Sequence, residues 1–193
     1  IMQYLNKRNI TYSVFSDDDL FDKVSDKIIQ GGVIGWVQGK AEFGPRALGN
    51  RSILADPTRK DVKELINDKI KRRESFRPFA PSILQEKISE YFMQDDIVPF
   101  MDKVFEVKKT HQHKIPGVTH VDGTGRLQSV SKDVSPKFYK LISNFESKTG
   151  IPILLNTSFN ENEPIVNSIQ DALDCFLRTD MDMLVLENVI IER

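Results

Sequence analysis

The sequence predicts an α/β domain with a mixed, twisted β-sheet and helices packed on it. Two observations support this fold class. Short apolar runs bounded by glycine or proline, which are typical of buried strands, alternate with longer segments whose apolar residues recur at helical spacing. Neither internal repeats nor low-complexity linkers interrupt the alternation. Strands that alternate with helices in this way form a sheet that the helices cover.

Length and composition favour one folded unit. The 193 residues are 39% hydrophobic, which is enough for one well-buried core. Two complete domains of about 100–150 residues each would need a longer chain. We assign residues 1–30 to a lead-in segment and first helix, and residues 31–193 to the domain itself. Because the sequence starts with Ile1 and not with methionine, we expect it to be part of a longer protein.

The first elements follow from charge and periodicity. The acidic residues 17–19 favour the N-terminus of a helix, and the apolar residues that follow recur at helical spacing up to the glycine pair 31–32. The apolar run 33–37 is bounded by glycines and predicts a buried strand. Asp56 and Pro57 are predicted as the N-cap and first residue of a second helix, which continues to Ile70.

The second half of the chain contains the clearest helix, predicted between Ser135 and Gly150. Strands are predicted at residues 104–107, 151–155, 183–186 and 189–191. Ser168 and Asp171 have the spacing of a capping box and predict the start of the last helix.

Charge is spread unevenly along the chain. The formal net charge is −1, which argues against a protein whose whole surface binds nucleic acid. Residues 40–77 nevertheless hold eleven Lys and Arg against six Asp and Glu, and the remainder holds sixteen against twenty-two. The positive charge therefore lies where the arginine motifs described below occur.

The single cysteine, Cys175, excludes an intrachain disulfide and fits a reducing compartment. It joins an apolar helical stripe, so we interpret it as a buried thiol and not as a nucleophile. No run approaches the roughly 18 apolar residues of a membrane span, and no signal-peptide pattern is present. We therefore expect a cytoplasmic protein.

The most informative segment spans residues 39–52 and reads GKAEFGPRALGNRS. Glycine lets backbone N–H groups turn toward a ligand, and the guanidinium fork of Arg46 or Arg51 matches the paired oxygens of a phosphate or carboxylate. The segment predicts an anion pocket. The alternative is a surface turn with solvated charges.

A second basic segment surrounds Lys71 and Arg73. These two side chains could bind an anion, or they could be solvated cations that complement the negative end of the helix dipole. Arg77 differs from them because Pro78 places it in extended chain before an apolar run, where a ligand-binding side chain has a stiffer support.

Polar residues follow the strand predicted at 151–155. Asn156, Thr157 and Ser158 lie at its carboxyl end, where open α/β sheets bind their ligands. Their amide and hydroxyl groups can contact a phosphate oxygen or a neutral polar group of a ligand without adding charge. A turn that caps the strand is the alternative.

His120 and Asp122 are two residues apart and would share a face of an extended chain. We favour a hydrogen-bonding role over metal binding, because two ligands do not make a metal site, and we predict no protein-bound metal. The phosphate-binding GxxxxGK[ST] motif, a GxGxxG fingerprint and a GxSxG elbow are absent from the sequence. P-loop ATPases, Rossmann dehydrogenases and serine hydrolases are therefore disfavoured.

In this order, the blocks at residues 39–57, 71–81, 120–124 and 154–160 resemble the carboxy-terminal half of the O-carbamoyltransferase family, whose members modify nodulation factors and antibiotics. The resemblance runs from about residue 31 to the end of the chain. It implies a YrdC-like domain with a twisted mixed sheet and an open, concave ligand face. Such a domain uses carbamoyl phosphate and ATP, with Mg2+ on the nucleotide, to make carbamoyl-adenylate. An N-terminal domain of the full-length protein would pass the carbamoyl group to an acceptor hydroxyl.

The resemblance also implies roles for particular residues. The basic side chains would neutralise and orient carbamoyl phosphate and the triphosphate, while Asn156 and Ser158 would hold the carbamoyl end. The expected catalytic residues are Arg46, Arg51, Asn156 and Ser158. The expected substrate-binding residues are Lys71, Arg73, Arg77, His120, Asp122, Thr157 and Asn160.

Two functions of other classes stay open. An RNA-binding module of the same fold would use a basic surface, but the chain outside residues 40–77 is net acidic and lacks an aromatic-rich strand on which bases could stack. A non-catalytic docking domain would shape the acceptor site of a partner and bind no nucleotide.

Overall fold

The computed structural model describes residues 1–72 and 77–193. Within them the strands are β1 (Ser13–Val14), β2 (Ile34–Val37), β3 (Arg51–Ala55), β4 (Ala80–Leu84), β5 (Lys103–Glu106), β6 (Thr124–Val130), β7 (Ile153–Ser158), β8 (Met183–Leu186) and β9 (Val189–Glu192). The helices are α1 (Met2–Lys7), α2 (Asp17–Ile29), α3 (Val62–Ile66), α4 (Ile88–Tyr91), α5 (Lys109–Gln112), α6 (Pro136–Thr149) and α7 (Ile169–Arg178). A π-helical turn, Asn67–Lys71, extends α3, and a 3-10 turn, Gln85–Lys87, precedes α4.

The strands form one sheet in the order β1-β9-β8-β2-β3-β7-β4-β6-β5. β2 runs parallel to β8 and β4 parallel to β6, while the other neighbouring pairs are antiparallel. The predicted mixed sheet is therefore confirmed. The long strands β3, β7, β4 and β6 lie next to one another and form the platform on which the site is built.

Helices cover both faces of the sheet. On one face α2 and α6 pack against each other and bury a cluster that includes Leu20, Phe138, Trp36 and Leu154. On the other face the larger core cluster includes residues of α3, α4 and α7, together with Leu5 of α1. The segment before α2 is thus ordered in the structure, since Leu5 is fully buried and β1 pairs with β9.

The three clearest helix predictions are confirmed, with their capping contacts. Ser16 precedes α2, and its side chain accepts a hydrogen bond from the backbone N–H of Asp19. Gly150, at φ +74°, ends α6 in the left-handed conformation. Ser168 and Asp171 form the predicted capping box of α7.

The predicted start of the second helix is wrong. Asp56 does not cap a helix, because its carboxylate accepts hydrogen bonds from the backbone N–H and the hydroxyl of Thr58, at 2.8 and 2.7 Å. This closes a local turn, in which aspartate competes with helix formation. The helix begins only at Val62, with Asp61 as its N-cap residue.

Gly49 shows how closely the arginine segment approaches the helical layer. Its φ is +108°, and a β-carbon there would lie 2.2 Å from Cδ1 of Phe138 on α6. Its carbonyl accepts a hydrogen bond from Nε1 of the buried Trp36 at 2.9 Å. Only glycine fits a backbone with this conformation and this contact.

We expect Gly49→Ala to lower the free energy of unfolding by about 3 kcal/mol, because the new methyl group combines backbone strain with overpacking against Phe138. Urea denaturation measures the loss. Gly39→Ala is the matched control, since Gly39 also has a positive φ, +49°, but a β-carbon there would have no atom within 4 Å. Equal losses for the two variants would contradict the packing argument.

Candidate anion site

The face of the sheet covered by α2 and α6 becomes polar beyond the reach of these helices. Side chains two residues apart on a strand share a face. Buried Leu54, Leu84, Val130 and Leu154 pack in the cluster with α2 and α6. Two residues away on each of these strands, and therefore on the same face, lie buried polar residues: Ser52, Ser82, Gln128 and Asn156.

Three of these residues, Ser82, Gln128 and Asn156, form a hydrogen-bonded network across β4, β6 and β7. Nδ2 of Asn156 lies 3.0 Å from both Oγ of Ser82 and Oε1 of Gln128, and 3.2 Å from the carbonyl oxygen of Ala47. Ser82 donates to Oε1 of Gln128 at 2.5 Å, and Nε2 of Gln128 donates to the carbonyl of Leu48 at 2.8 Å. Because carbonyls can only accept, the orientations of both side-chain amides are determined. The network joins the sheet to the segment that carries Arg46.

The network leaves one atom of Asn156 unsatisfied. Its Oδ1 is buried and has no hydrogen-bond partner among the described residues. A buried acceptor without a donor costs about 1–3 kcal/mol, and such a group is expected to find its partner in a ligand or a bound water. Asn156 also lines the cavity described below, so a ligand donor is the simplest partner for this oxygen.

Glu42 organises the arginine segment from within. Its Oε1 accepts hydrogen bonds from the backbone N–H groups of Leu48, Asn50 and Arg51, at 2.6, 2.8 and 3.2 Å. A carboxylate thus occupies a concave arrangement of backbone donors, which is a geometry suited to an anion. All three of these hydrogen bonds come from the backbone and none from an arginine side chain.

Arg51 stabilises the same segment with its side chain. The residue is 7% exposed, and its guanidinium donates to the carbonyls of Gln38, Gly39, Asn50 and Asn167 at distances between 2.9 and 3.2 Å. Burial lowers the pKa of Arg51 below its usual value, and the nearby carboxylates of Glu42 and Glu187 offset this only in part. The guanidinium therefore links the two ends of the arginine segment, near residues 39 and 50, to each other and to Asn167.

A cavity of about 290 Å3 opens between this segment and the polar part of the sheet. Its lining includes five of the residues singled out from the sequence, namely Arg46, Arg77, Asn156, Thr157 and Ser158. Pro45, Ala47, Pro78, Met101 and Arg126 complete the lining. Three arginines and no carboxylate thus surround the cavity among the described residues, which favours an anionic ligand.

Arg126 was not identified from the sequence. It lies on β6, two residues from Gln128 and on the same face, with the buried Leu127 between them. The signal was present as polar residues at alternate positions of an otherwise buried strand. Only the pairing of β6 with β4 shows that this face belongs to the same platform as Asn156.

Lys71 lies beside the cavity lining and contacts the end of β7. It is 2% exposed, and its Nζ donates to the carbonyls of Ser158 and Asn160, both at 2.6 Å, and to Oδ1 of Asn160 at 2.7 Å. Oγ of Ser158 donates to the same Oδ1 at 2.7 Å. The ammonium group therefore organises the chain after Asn156, and Asn160 is one of its ligands. Arg73 lies outside the described residues.

His120 and Asp122 line a neighbouring cavity of about 370 Å3 with Lys63, Pro78 and Val121. Pro78 lines both cavities, so the two are adjacent. Among residues 1–72 and 77–193, no group of three His, Cys, Asp or Glu side chains could hold a metal ion.

Cys175 is fully buried in α7, as predicted. Burial raises the pKa of its thiol to about 12, which leaves it protonated and unreactive near neutral pH. In the described part of the chain, no helix has the length and apolar character needed to cross a membrane.

Comparison with known proteins identifies the family. Residues 25–193 match the family described as carbamoyltransferase C-terminus. The chain belongs to this family. It is 50% identical over 180 residues to nodulation protein NolNO of Sinorhizobium fredii, with 91% of the chain and 26% of that protein covered. It is 39% identical over 166 residues to the 3'-hydroxymethylcephem-O-carbamoyltransferase of Amycolatopsis lactamdurans, with 85% of the chain and 31% of the enzyme covered.

The chain therefore spans between a quarter and a third of the length of these two relatives. Its fold is YrdC-like, as the resemblance implied. Full-length HypF, solved in a phosphate- and nucleotide-bound form, superimposes with a TM-score of 0.59 at 18% identity, over 95% of this chain and 23% of HypF.

We expect Glu42→Ala to accelerate hydrogen exchange at the amides of Leu48, Asn50 and Arg51, because all three lose their acceptor. The free energy of unfolding should fall by about 1–3 kcal/mol. Glu42→Gln retains an oxygen that can accept these hydrogen bonds, so its free energy of unfolding should fall by less.

Amide exchange followed by NMR measures the local effect, and urea denaturation measures the global one. Glu64→Ala, which removes an exposed carboxylate on α3, is the control. Unchanged exchange at the three amides in Glu42→Ala would contradict the anchoring role.

Proposed function

We propose that the arginine-lined cavity binds carbamoyl phosphate and ATP and converts them to carbamoyl-adenylate. A further domain of the longer protein would then transfer the carbamoyl group to an acceptor hydroxyl. The observation that carries the proposal is the combination of three arginines with the unsatisfied Oδ1 of Asn156 in one cavity. Membership of the carbamoyltransferase C-terminal family supports it, as does the phosphate- and nucleotide-bound state of the structurally similar HypF.

The reaction has a definite balance. Water releases carbamate and orthophosphate from carbamoyl phosphate. A carbamate oxygen then forms a bond to the α-phosphorus of ATP, and the bond between that phosphorus and the pyrophosphate oxygen breaks. Two polyanions must approach each other, so charge neutralisation and positioning are the main requirements for catalysis.

Each lining residue has a role in this scheme. Arg46, Arg77 and Arg126 neutralise phosphate oxygens, for which the guanidinium fork is suited. Oδ1 of Asn156 accepts a hydrogen bond from the carbamoyl NH2 group, which distinguishes a carbamoyl group from a phosphate because a phosphate dianion has no proton to donate. Thr157 and Ser158 provide neutral polar groups beside it.

Other residues beside the cavity act by positioning. Arg51 and Glu42 hold the segment that carries Arg46, and Lys71 with Asn160 holds the backbone after Ser158. Mg2+ would enter with ATP, since phosphates and water supply most of its ligands in nucleotide sites.

Variants of Arg46 and Arg51 should separate binding from positioning. Arg46 is exposed and lines the cavity, so both Arg46→Lys and Arg46→Ala should weaken carbamoyl phosphate binding by about tenfold or more while stability stays unchanged. Arg51→Ala should instead lower the free energy of unfolding by about 2–4 kcal/mol, because four carbonyl contacts are lost.

Calorimetric titration measures binding and urea denaturation measures stability. Arg59→Ala, at a half-buried arginine paired with Asp61 outside the cavity lining, controls for a general loss of positive charge. Normal affinity in Arg46→Ala would remove this residue from the site.

Exchange of labelled pyrophosphate into ATP tests activation itself. Exchange should require carbamoyl phosphate and should fall at least about tenfold in Asn156→Ala, since the carbamoyl group loses its acceptor. Asn156 is fully buried in the polar network, so this variant also loses stability, and Ser158→Ala provides a milder second test.

Asn144→Ala, which changes a half-buried asparagine on α6 that accepts from Ser25, is the matched control. Exchange at the same rate without carbamoyl phosphate would contradict the proposal. Absence of nucleotide binding by the wild-type chain would favour a docking domain.

A further inference from the structure

The turn before β6 holds His120 in a defined position. The backbone N–H of His120 donates to the carbonyl of Thr124 at 2.7 Å, and that of Gly123 donates to the carbonyl of His120 at 3.0 Å. Gly123 has a φ of +82°, which closes the turn. His120 therefore belongs to a tight turn that is closed by two hydrogen bonds. The turn lies at the start of β6, the strand that carries Arg126.

The hydrogen bonds of this turn determine which ring nitrogen carries the proton. Oγ1 of Thr124 donates its single proton to Oδ1 of Asp122 at 2.7 Å. Hydrogen bonds from the hydroxyl and backbone of Thr124 lower the pKa of Asp122, so its carboxylate is ionised and can only accept. Toward His120 the hydroxyl can then only accept, and Nδ1 of His120, 3.0 Å away, is the donor.

Nε2 of His120 consequently carries a lone pair. Burial lowers the pKa of His120, which keeps the imidazole neutral near pH 7. This nitrogen is buried and has no hydrogen-bond partner among the described residues. A buried acceptor in a cavity lining requires a donor, and an ionised phosphate offers none. The matching ligand group is a hydroxyl or an amine.

The position of the cavity restricts the class of ligand further. The cavity adjoins the arginine-lined cavity through Pro78, and two residues of its lining carry acceptors: Nε2 of His120 and the carboxylate of the exposed Asp122. Its volume of about 370 Å3 exceeds the volume of about 290 Å3 of the arginine-lined cavity. Neighbouring hydroxyls on a sugar match two neighbouring acceptors, and carboxylates are known to bind ribose hydroxyls in this way.

We propose that the cavity around His120 and Asp122 binds the ribose hydroxyls of the nucleotide whose phosphates lie among Arg46, Arg77 and Arg126. The inference rests on the proposed function and assigns the sugar end of its second substrate. His120 acts as a neutral hydrogen-bond acceptor, with its tautomer set by Thr124 and Asp122.

Calorimetric titration with three probes tests the inference. The probes are ATP, its two deoxy forms (2'-deoxy-ATP and 3'-deoxy-ATP) as one matched pair, and inorganic tripolyphosphate. Each is titrated into the wild-type chain and into His120→Ala and His120→Phe, where phenylalanine keeps the ring volume without either nitrogen. His113→Ala, at an exposed histidine, is the control. Circular dichroism and urea denaturation confirm that each variant is folded.

Both His120 variants should bind ATP about tenfold more weakly, and their affinity for tripolyphosphate should stay within about twofold of the wild type. At least one deoxynucleotide should show the same loss with the wild type and no additional loss with the variants. This non-additivity identifies a direct contact, because a merely structural effect would add to the loss from the missing hydroxyl.

Equal losses for ATP and tripolyphosphate would overturn the sugar site, as would wild-type affinities for both deoxynucleotides that match the affinity for ATP. Failure of tripolyphosphate to bind the wild type would instead overturn the proposed phosphate cavity, and the sugar site with it. Tripolyphosphate therefore separates failure of the inference from failure of the proposed function.

Discussion

The hydrogen bonds that Asn156 and Gln128 donate to the carbonyls of Ala47 and Leu48 are the interactions on which the site depends. They attach a glycine-rich segment, which has little structure of its own, to the most buried strands of the sheet. Without them, Arg46 and the arginines of the sheet would belong to separate surfaces. Because the network is buried, each of its bonds is worth more than a solvent-exposed bond, and a broken one costs the desolvation of its partner.

The basic residues divide into two groups by burial. Arg51 and Lys71 are buried and donate to backbone carbonyls, so their charges stabilise the two segments that border the cavity. Arg46 and Arg77 are exposed and line the cavity itself. A buried cation surrounded by carbonyl oxygens is largely screened from a ligand, whereas the exposed guanidinium of Arg46 can exchange water for phosphate oxygens. The same residue type thus serves either as a support or as a ligand-binding group.

Glu42 makes the corresponding choice for negative charge. Its carboxylate satisfies three backbone donors that would otherwise attract a phosphate, and it does so a few residues from Arg46. The segment therefore binds its own anion internally and presents its arginine outward. The contacts of Glu42 therefore hold this segment, which contains three glycines, from within.

The sequence by itself determined the fold class, the helices bounded by Ser16, Gly150 and Ser168, and the site segments that carry Arg46, Arg77 and Asn156, but not β6 with Arg126. Periodicity and capping are local properties, and a short stretch of chain records them completely. The family resemblance also implied that Arg46, Arg77, Asn156, Thr157 and Ser158 belong to one site, and in the structure all five line one cavity.

Only the tertiary structure decided which of the basic side chains face the cavity. Arg46 and Arg51 are five residues apart in one motif, and their different roles depend on which carbonyls surround each guanidinium after folding. Arg126 was missed for the same reason, since its strand, β6, and the strand that carries Asn156, β7, are distant in sequence and are joined only through β4. The protonated nitrogen of His120 likewise depends on the single proton of Thr124, which no sequence pattern records.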